Sequence, residues 1–376
     1  MLKDLLRKKS DGPPDYVLLA TIGILLAIGI LILSSVSASF GLKRFGDTYY
    51  FLRHQLLFGL LPGLILGYAA FRMNLSVLRK WSPLLLFVAL LLMIAVFLPF
   101  IGSKVGSSAR WISLGSLSFQ PSELLKLTFI IYLACWLCSK TEKKSPSFVG
   151  FSKTFVAFLA VLGAITALLY FQSDISTLMV IVSIAGLMYF SINSPIKHTL
   201  LLISFGMVAL FLAIKFSSYR MNRFLVFLNQ DLDPMGIGYQ LSQSLIAVGS
   251  GGLTGVGLAM SAQKLGFLPQ IISDSIFAVF AEETGFLGSV LLISLFLFFC
   301  WRGFKIIKQV PDKFLKLVAL GIVFWIIIQT FVNIGAMIGI LPLTGIHLPF
   351  VGYGGSAMVI ELIAMGILLN ISTKRA

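Results

Sequence analysis

Seven ionisable side chains stand inside or at the edges of long apolar runs: Glu123, Lys126, Asp174, Asp274, Glu282, Glu283 and Glu361. Charge at membrane depth costs free energy, so each is a candidate for chemistry. Asp274 stands where the loop "KLGFLPQIIS" gives way to the apolar run "SIFAVFAEETGFLG". A carboxylate at such a turn suits a general base acting on a hydroxyl, or the N-cap of the following helix. The helix N-terminus would favour its ionised form. Glu282 and Glu283 lie about two turns deeper, roughly 12 Å at 1.5 Å per residue, with Glu282 nearer the Asp274 face. That separation does not suit two carboxylates sharing a glycosidase-type site.

A second group lies in "RWISLGSLSFQPSELLKL", from Arg110 to Leu127. Pro121 fits a first helical turn, which places Glu123 at the positive end of the helix dipole and Lys126 one turn on. Two readings stay open. Glu123 and Lys126 form an internal ion pair, or Lys126 and Arg110 hold an anionic headgroup such as a pyrophosphate. Further on, Gly249, Gly251, Gly252, Gly255 and Gly257 either present backbone N–H groups to an anion or pack small residues between helices.

The elements that position these groups follow from composition. Hydrophobic residues make up 58% of the 376 and charged residues 11%, and mean hydropathy is +0.99. A soluble domain would carry about a quarter charged residues. The expectation is an all-α polytopic membrane protein, a single ten-span domain over residues 1–376. The spans are placed at 16–38, 54–71, 82–101, 122–139, 154–171, 174–192, 198–216, 275–300, 317–340 and 349–371, each long enough for a hydrocarbon core about 30 Å thick. The first run reads as a retained span, since no small-residue cleavage site follows a short apolar core.

Nineteen of the 29 lysines and arginines fall at the termini and in the even-numbered connections. By the positive-inside rule both termini are cytoplasmic, which agrees with an even number of spans. Residues 1–15 form a cytoplasmic tail. The segment 217–274, between the seventh and eighth spans, is a large extracytoplasmic loop, and Asp274 sits at its inner edge, at the outer mouth of the eighth span. The net charge of +15 is explained by this asymmetry, and no basic face interleaved with aromatics points to nucleic acid. "CWLC", with Cys135 and Cys138, has redox or metal spacing, but inside an apolar helix it reads as packing. No Walker-type phosphate loop is present, and the sequence carries no metal-ligand cluster.

Six motifs in order make the chain resemble the SEDS family (shape, elongation, division and sporulation) of peptidoglycan polymerases. They are "SSVSAS", "RWISLGSLSFQPSELLKL", "GYQLSQSLIAVGSGGLTGVGL", "SAQKLGFLP", "SDSIFAVFAEETGFLG" and "TGIHLPFVGYGGSA". The "QSLIAVGSGG" and "S-x-QK" segments sit nearer the FtsW-like division or sporulation branch than the RodA-like branch. The resemblance implies glycosyl transfer on lipid II at the outer face of the bacterial cytoplasmic (inner) membrane, for division or cell-shape wall synthesis, with Asp274 as the catalytic residue. It also implies substrate-binding positions at Arg53, Arg110, Glu123, Lys126, Gln243, Ser244, Ser261, Lys264, Glu282, Gly354, Gly355 and Ser356. It further implies a divalent cation (magnesium or manganese) as an aid, with no nucleotide or organic cofactor. The implied partners are lipid II and the growing glycan strand, a single-span class B penicillin-binding protein, and other divisome or elongasome membrane proteins.

The sequence departs from that pattern in places. Gln270 and Ile272 replace the usual Glu and His before Asp274, "QSDIST" replaces Pro-Asp-Leu-Gly, His54 stands where arginine is common, and Glu361 where a neutral polar residue is expected. Two rival functions follow from the same residues. Buried acids and glycine-broken helices suit a lipid II flippase, and the altered neighbourhood of Asp274 suits a non-catalytic scaffold of the divisome or elongasome.

Overall fold

The computed structural model describes residues 12–98, 102–105, 108–114, 117–142, 153–192, 200, 204, 206–209, 211, 214–230 and 232–375. Eleven helices are named here: α1 (Tyr16–Phe45), α2 (Tyr50–Arg72), α3 (Leu75–Ala95), α4 (Pro121–Glu142), α5 (Lys153–Phe171), α6 (Ile175–Phe190), α7 (Ser218–Leu228), α8 (Tyr239–Ser250), α9 (Ile276–Gln309), α10 (Lys313–Met337) and α11 (Gly355–Ser372). Among the described residues seven are long and apolar enough to cross a membrane, and α5 and α6 supply two shorter apolar helices. The chain is a multi-pass membrane protein. The expected seventh span, 198–216, falls largely outside the described residues.

Local chemistry sets the ends. Asp15 caps α1 by accepting from the Leu18 N–H at 2.9 Å, and Gly46 closes it in the left-handed conformation. In α2 a π-turn spans Leu56–Leu60, just before Pro62, which has no N–H to close an α-turn. Helix α3 starts at Leu75, well before the expected residue 82, because Asn74 caps it. The helix then runs through Pro83. Helix α9 reaches Gln309, nine residues past its expected limit, because Arg302, Lys305 and Lys308 continue it beyond the apolar stretch. Between α3 and α4, Gly102–Val105, Ser108–Leu114 and Leu117–Phe119 form strands β1, β2 and β3 of an antiparallel sheet.

Helices α10 and α11 form the centre, with 78% and 83% of their apolar windows buried against 28% for α2 and α3. Helix α11 packs on α2 through small residues. A Cβ on Gly366 would come 2.0 Å from the Gly67 carbonyl, so these backbones touch. Where α1 begins, the Asp15 carboxylate accepts from Arg302 Nε at 2.9 Å and Arg375 Nη1 at 2.8 Å, and its N–H donates to Ser372 Oγ at 3.0 Å. This clasp puts the start of α1 and the end of α11 at one face, as the charge asymmetry requires.

Helix α9 is broken. Gly285 has φ 68° and ψ −164°, and the groups freed by the break bond to residues 252–257. Val256 and Gly257 N–H donate to the Glu282 and Glu283 carbonyls at 3.0 and 3.1 Å, and Phe286 and Leu287 N–H donate to Gly252 and Leu253 at 2.9 and 3.1 Å. In lipid such groups have no water to turn to, so a second backbone must satisfy them. Nine residues separate Ile276 from Gly285, about 14 Å along the helix. The glycine segment therefore lies beside α9 well past the start of that helix. A Cβ on Gly285 would come 2.3 Å from the Gly255 nitrogen, whereas one on Gly23 meets nothing within 4 Å. Gly285→Ala is expected to cost on the order of 3 kcal/mol or more, and Gly23→Ala to be neutral or slightly stabilising. Melting of the purified variants in detergent checks both.

Candidate active site

Asp274 lies in the turn before α9 and is 7% exposed. Its Oδ1 accepts from Ser273 Oγ at 2.9 Å. Its backbone carbonyl accepts from Asn333 Nδ2 on α10 at 2.8 Å, and the same amide nitrogen donates to the Ile346 carbonyl at 2.6 Å. Asn333 thus locks the Asp274 turn to the connection between α10 and α11. The Tyr353 N–H adds a second tie, to the Ile272 carbonyl at 2.8 Å. On the other side, a Cβ on Gly345 would lie 3.7 Å from Asp274 Oδ2 and 4.0 Å from Arg223 Nη1, so carboxylate and guanidinium face each other across this glycine.

Two expectations for Asp274 change. Ser275, not Asp274, is the N-cap of α9, and it makes no side-chain capping bond. The helix end was expected to keep the acid ionised. Instead burial pushes the Asp274 carboxyl above the usual carboxylate range, with Ser273, the Arg223 charge and Gln240 pulling back only in part. A raised pKa improves a carboxylate as a proton acceptor near neutral pH.

Lys126 and Glu123 realise the internal ion pair, with Nζ 2.9 Å from Glu123 Oε2 and both side chains buried. Oε2 has no aligned hydrogen bond, so this is a charge contact. Lys126 Nζ also donates to Gln329 Oε1 at 2.8 Å and lies 5.0 Å above the Trp325 ring. Trp325 Nε1 donates to the same oxygen at 2.7 Å. Gln329 Nε2 donates to the His347 carbonyl at 3.2 Å, and His347 Nε2 meets Glu361 Oε1 at 3.1 Å. The second Glu361 oxygen accepts from the Phe350 N–H at 2.9 Å. Glu361, unexpected in a span, therefore anchors the connection that holds Asp274.

Arg110, on β2, is clipped to the turn between α5 and α6. It donates to the Gln172 and Ser173 carbonyls, and its Nη1 lies 3.9 Å from Asp174 Oδ1. Asp174 is the N-cap of α6. Glu282 accepts from Ser261 Oγ and from the Ala262 N–H at 3.1 Å. Glu283 accepts from Ser35 Oγ at 2.7 Å and lies 3.4 Å from Lys264 Nζ, which also donates to the Ala259 carbonyl. These acids pin the strap 252–264 to α9 and α1. Ser244 donates to the Gln240 carbonyl at 2.9 Å, and Gln243 is half-buried beside it on α8.

Arg53 is exposed and pairs with Asp47 at 3.2 Å, outside the Asp274 contacts. Gly355 and Ser356 line a cavity of about 280 Å³ with His54, Phe58, Ile112, Ser118, Phe119 and Val359. Gly354 donates its N–H to Gln55 Oε1 at 3.2 Å beside it. Tyr353 Oη meets His54 Nδ1 at 2.9 Å, and burial pushes the Tyr353 phenol up to about 12.

Most of the expected residues thus fall into four groups: the Asp274 turn, the buried chain from Glu123 to Glu361, the strap on α9, and the cavity at the start of α11; Arg53, Arg110, Gln243 and Ser244 stand outside them. Sequence reading missed Arg223, Gln329, Asn333 and His347. For Arg223 a signal existed: Arg220 and Arg223 stand three apart in a segment assigned to the outer face, against the charge trend. The other three act through pairings between helices, which no local pattern shows.

A raised acid pKa has a definite sign in stability. The contribution is fully present below about pH 3.8, the unfolded value, and is lost as pH rises through the folded value. Asp274→Asn removes that cost and is expected to raise the melting temperature near pH 7 by at least ~2 °C, with the gain vanishing toward pH 4. Melting across pH measures it.

The family model of a cell cycle protein that covers FtsW, RodA and SpoVE matches residues 16–376. Stage V sporulation protein E of Bacillus subtilis is 37% identical over 359 residues, covering 96% of this chain and 97% of the relative. A probable peptidoglycan glycosyltransferase FtsW of Saccharophagus degradans is 39% identical over 363 residues, covering 96% and 92%. The fold matches a chain from a structure described as structural coordination of polymerization and crosslinking by a peptidoglycan synthase complex, with TM-score 0.75 and 24% identity over 96% of this chain and 97% of that one. It also matches the rod shape determining protein RodA of Thermus thermophilus, with TM-score 0.71 and 23% identity over 96% and 97%. With fold, motifs and full-length identity in agreement, the chain belongs to the FtsW, RodA and SpoVE family of cell cycle proteins, the SEDS family.

Proposed function

We propose that the chain is a peptidoglycan glycosyltransferase that polymerises lipid II into glycan strands at the outer face of the cytoplasmic membrane. The Asp274 carboxylate takes the proton of an acceptor sugar hydroxyl. That oxygen attacks the anomeric carbon of the donor sugar, whose bond to diphosphate oxygen breaks. The electron pair leaves on undecaprenyl diphosphate, and the anomeric centre inverts. The observation that carries this reading is a carboxylate buried to 7% exposure, outside the spans, facing a guanidinium and locked from two sides. Such a group destabilises the fold and is retained where chemistry needs it.

Among the described residues no three His, Cys, Asp or Glu side chains converge as a metal site. The described residues do not offer a ligand set for a resident ion, so no step is routed through one. Magnesium or manganese is proposed only as a companion of the substrate diphosphate. The proposed partner is a single-span class B penicillin-binding protein, supported by the solved relative described as a synthase complex that coordinates polymerization and crosslinking.

Purified chain in liposomes with lipid II is expected to make glycan strands, read on gels, with and without the transpeptidase. Asp274→Ala is expected to lower that rate at least ~10²-fold while the protein still melts cooperatively. Full polymerisation by Asp274→Ala refutes the catalytic assignment, and lipid II translocation without polymerisation favours a flippase.

A further inference from the structure

One ring nitrogen in the buried chain faces both a donor and a carboxyl oxygen. Gln329 has its amide direction fixed, because Oε1 accepts from Lys126 Nζ at 2.8 Å and from Trp325 Nε1 at 2.7 Å. Its Nε2 therefore points the other way, donating to the His347 carbonyl at 3.2 Å and lying 3.0 Å from His347 Nε2. The same ring nitrogen stands 3.1 Å from Glu361 Oε1. If that nitrogen carries hydrogen, it donates to Glu361 but turns an N–H toward the N–H of Gln329. If it carries a lone pair, it accepts from Gln329 but meets the lone pairs of an ionised Glu361. Both contacts are satisfied only when Glu361 Oε1 brings a hydrogen to the ring nitrogen. Glu361 Oε2 still accepts from the Phe350 N–H at 2.9 Å.

Charge points the same way. Along this chain two carboxylates, Glu123 and Glu361, share one ammonium, Lys126, and one added proton balances the buried charge. The charged groups around the pair are Lys126 and Glu123, on α4 behind Gln329, and Asp274, with Arg223 across Gly345 from it. The His347 side chain is 16% exposed and that of Glu361 1%, so His347 is the route by which such a proton exchanges. His347 also lies against the Asp274 turn. A Cβ on Gly352 would come 2.9 Å from His347 Cβ and 3.1 Å from the Ser273 carbonyl. Asn333, one turn after Gln329 on α10, holds the Ile346 and Asp274 carbonyls at 2.6 and 2.8 Å. Gln329 and Asn333 thus grip the neighbouring carbonyls of His347 and Ile346.

We propose that a proton shared between Glu361 Oε1 and His347 Nε2 positions Asp274, and that its loss loosens the Asp274 turn. The inference rests on the glycosyltransferase reading and adds two positioning residues to it. With the proton gone, one of the two contacts at the ring nitrogen fails, and residues 346–347 lose a hold they share with Asp274. Two opposed limbs follow in the rate. Asp274 must be ionised to accept a proton, so the rate first rises with pH; the shared proton must be present, so the rate then falls.

Glu361→Gln tests this, because its amide oxygen can keep the Phe350 N–H while its amide N–H takes the place of the shared proton. The full chain in nanodiscs is labelled with nitrogen-15 histidine. Its histidines are His54, His198 and His347, and His347 is assigned by its absence from His347→Asn. In wild type the His347 Nε2 resonance is expected to shift between about pH 6 and pH 9, and in Glu361→Gln to stay in place. Lipid II polymerisation in liposomes over the same range is read as kcat and KM. Wild-type kcat is expected to fall at least ~10-fold on the alkaline side and that of Glu361→Gln less than ~3-fold, with the KM of the two forms within ~2-fold of each other. A purely structural Glu361 would move the melting temperature without changing the shape of either profile. Equal titration of His347 in both forms, or none in wild type, overturns the shared proton. An alkaline limb that does not follow the His347 titration in wild type overturns the positioning role, whether or not Glu361→Gln folds. The resonance does not depend on activity, so the two readings separate. A chain that titrates as expected but never polymerises lipid II refutes the glycosyltransferase reading and keeps the shared proton. A chain that polymerises with the same alkaline limb in both forms, and titrates alike in both, refutes the shared proton and keeps the reading.

Discussion

Inside a bilayer every polar group must find its partner within the protein, and this structure is organised by that requirement. The break of α9 at Gly285 frees backbone groups that only a second stretch of chain can satisfy, and residues 252–257 supply it. Glu282 and Glu283, one turn before the break, then fasten the strap through Ser261, Ala262, Lys264 and Ser35. Two acids that stand out in the sequence, Glu282 and Glu283, thus hold a discontinuous helix together. The same requirement explains the Asp15 clasp, where two arginines and the start of α1 neutralise one buried carboxylate.

Within the central helices the requirement produces a chain of charged and polar groups rather than isolated pairs. Glu123, Lys126, Gln329, His347 and Glu361 each satisfy the next, so removing one leaves a buried neighbour uncompensated. The far end of this chain holds the Phe350 N–H, in the connection that Asn333 ties to the Asp274 turn. Rigidity at the Asp274 carboxylate is therefore supplied from the centre of the bundle. This is the arrangement a reacting group needs to keep its geometry while a large lipid-linked substrate enters.

Asp274 differs from Glu123, Glu283 and Asp15 in how its charge is met. Ser273 donates a neutral hydrogen bond and Arg223 lies across a glycine, whereas Glu123, Glu283 and Asp15 each meet a cation at 3.4 Å or less. Full-length identity of 37–39% with sporulation and division relatives places this arrangement in a known family. His54 and Glu361 are paired here with Tyr353 and His347.

Apolar run lengths and the sorting of basic residues were enough to reveal a polytopic helical protein with both ends on one side, because hydrocarbon thickness and charge asymmetry act on single segments. Motif order was enough to reveal the family. The sheet at 102–119, the broken α9 and the strap across it were not legible, since they depend on which distant backbones meet. Nor could spacing decide whether Lys126 held a substrate or Glu123. That choice belongs to Gln329 and Trp325 on α10, some 200 residues away. The state of Asp274 was likewise set by tertiary structure: a helix terminus acts locally and favours the charge, but burial under α10 and the 343–353 connection is a property of the packed bundle, and it prevails.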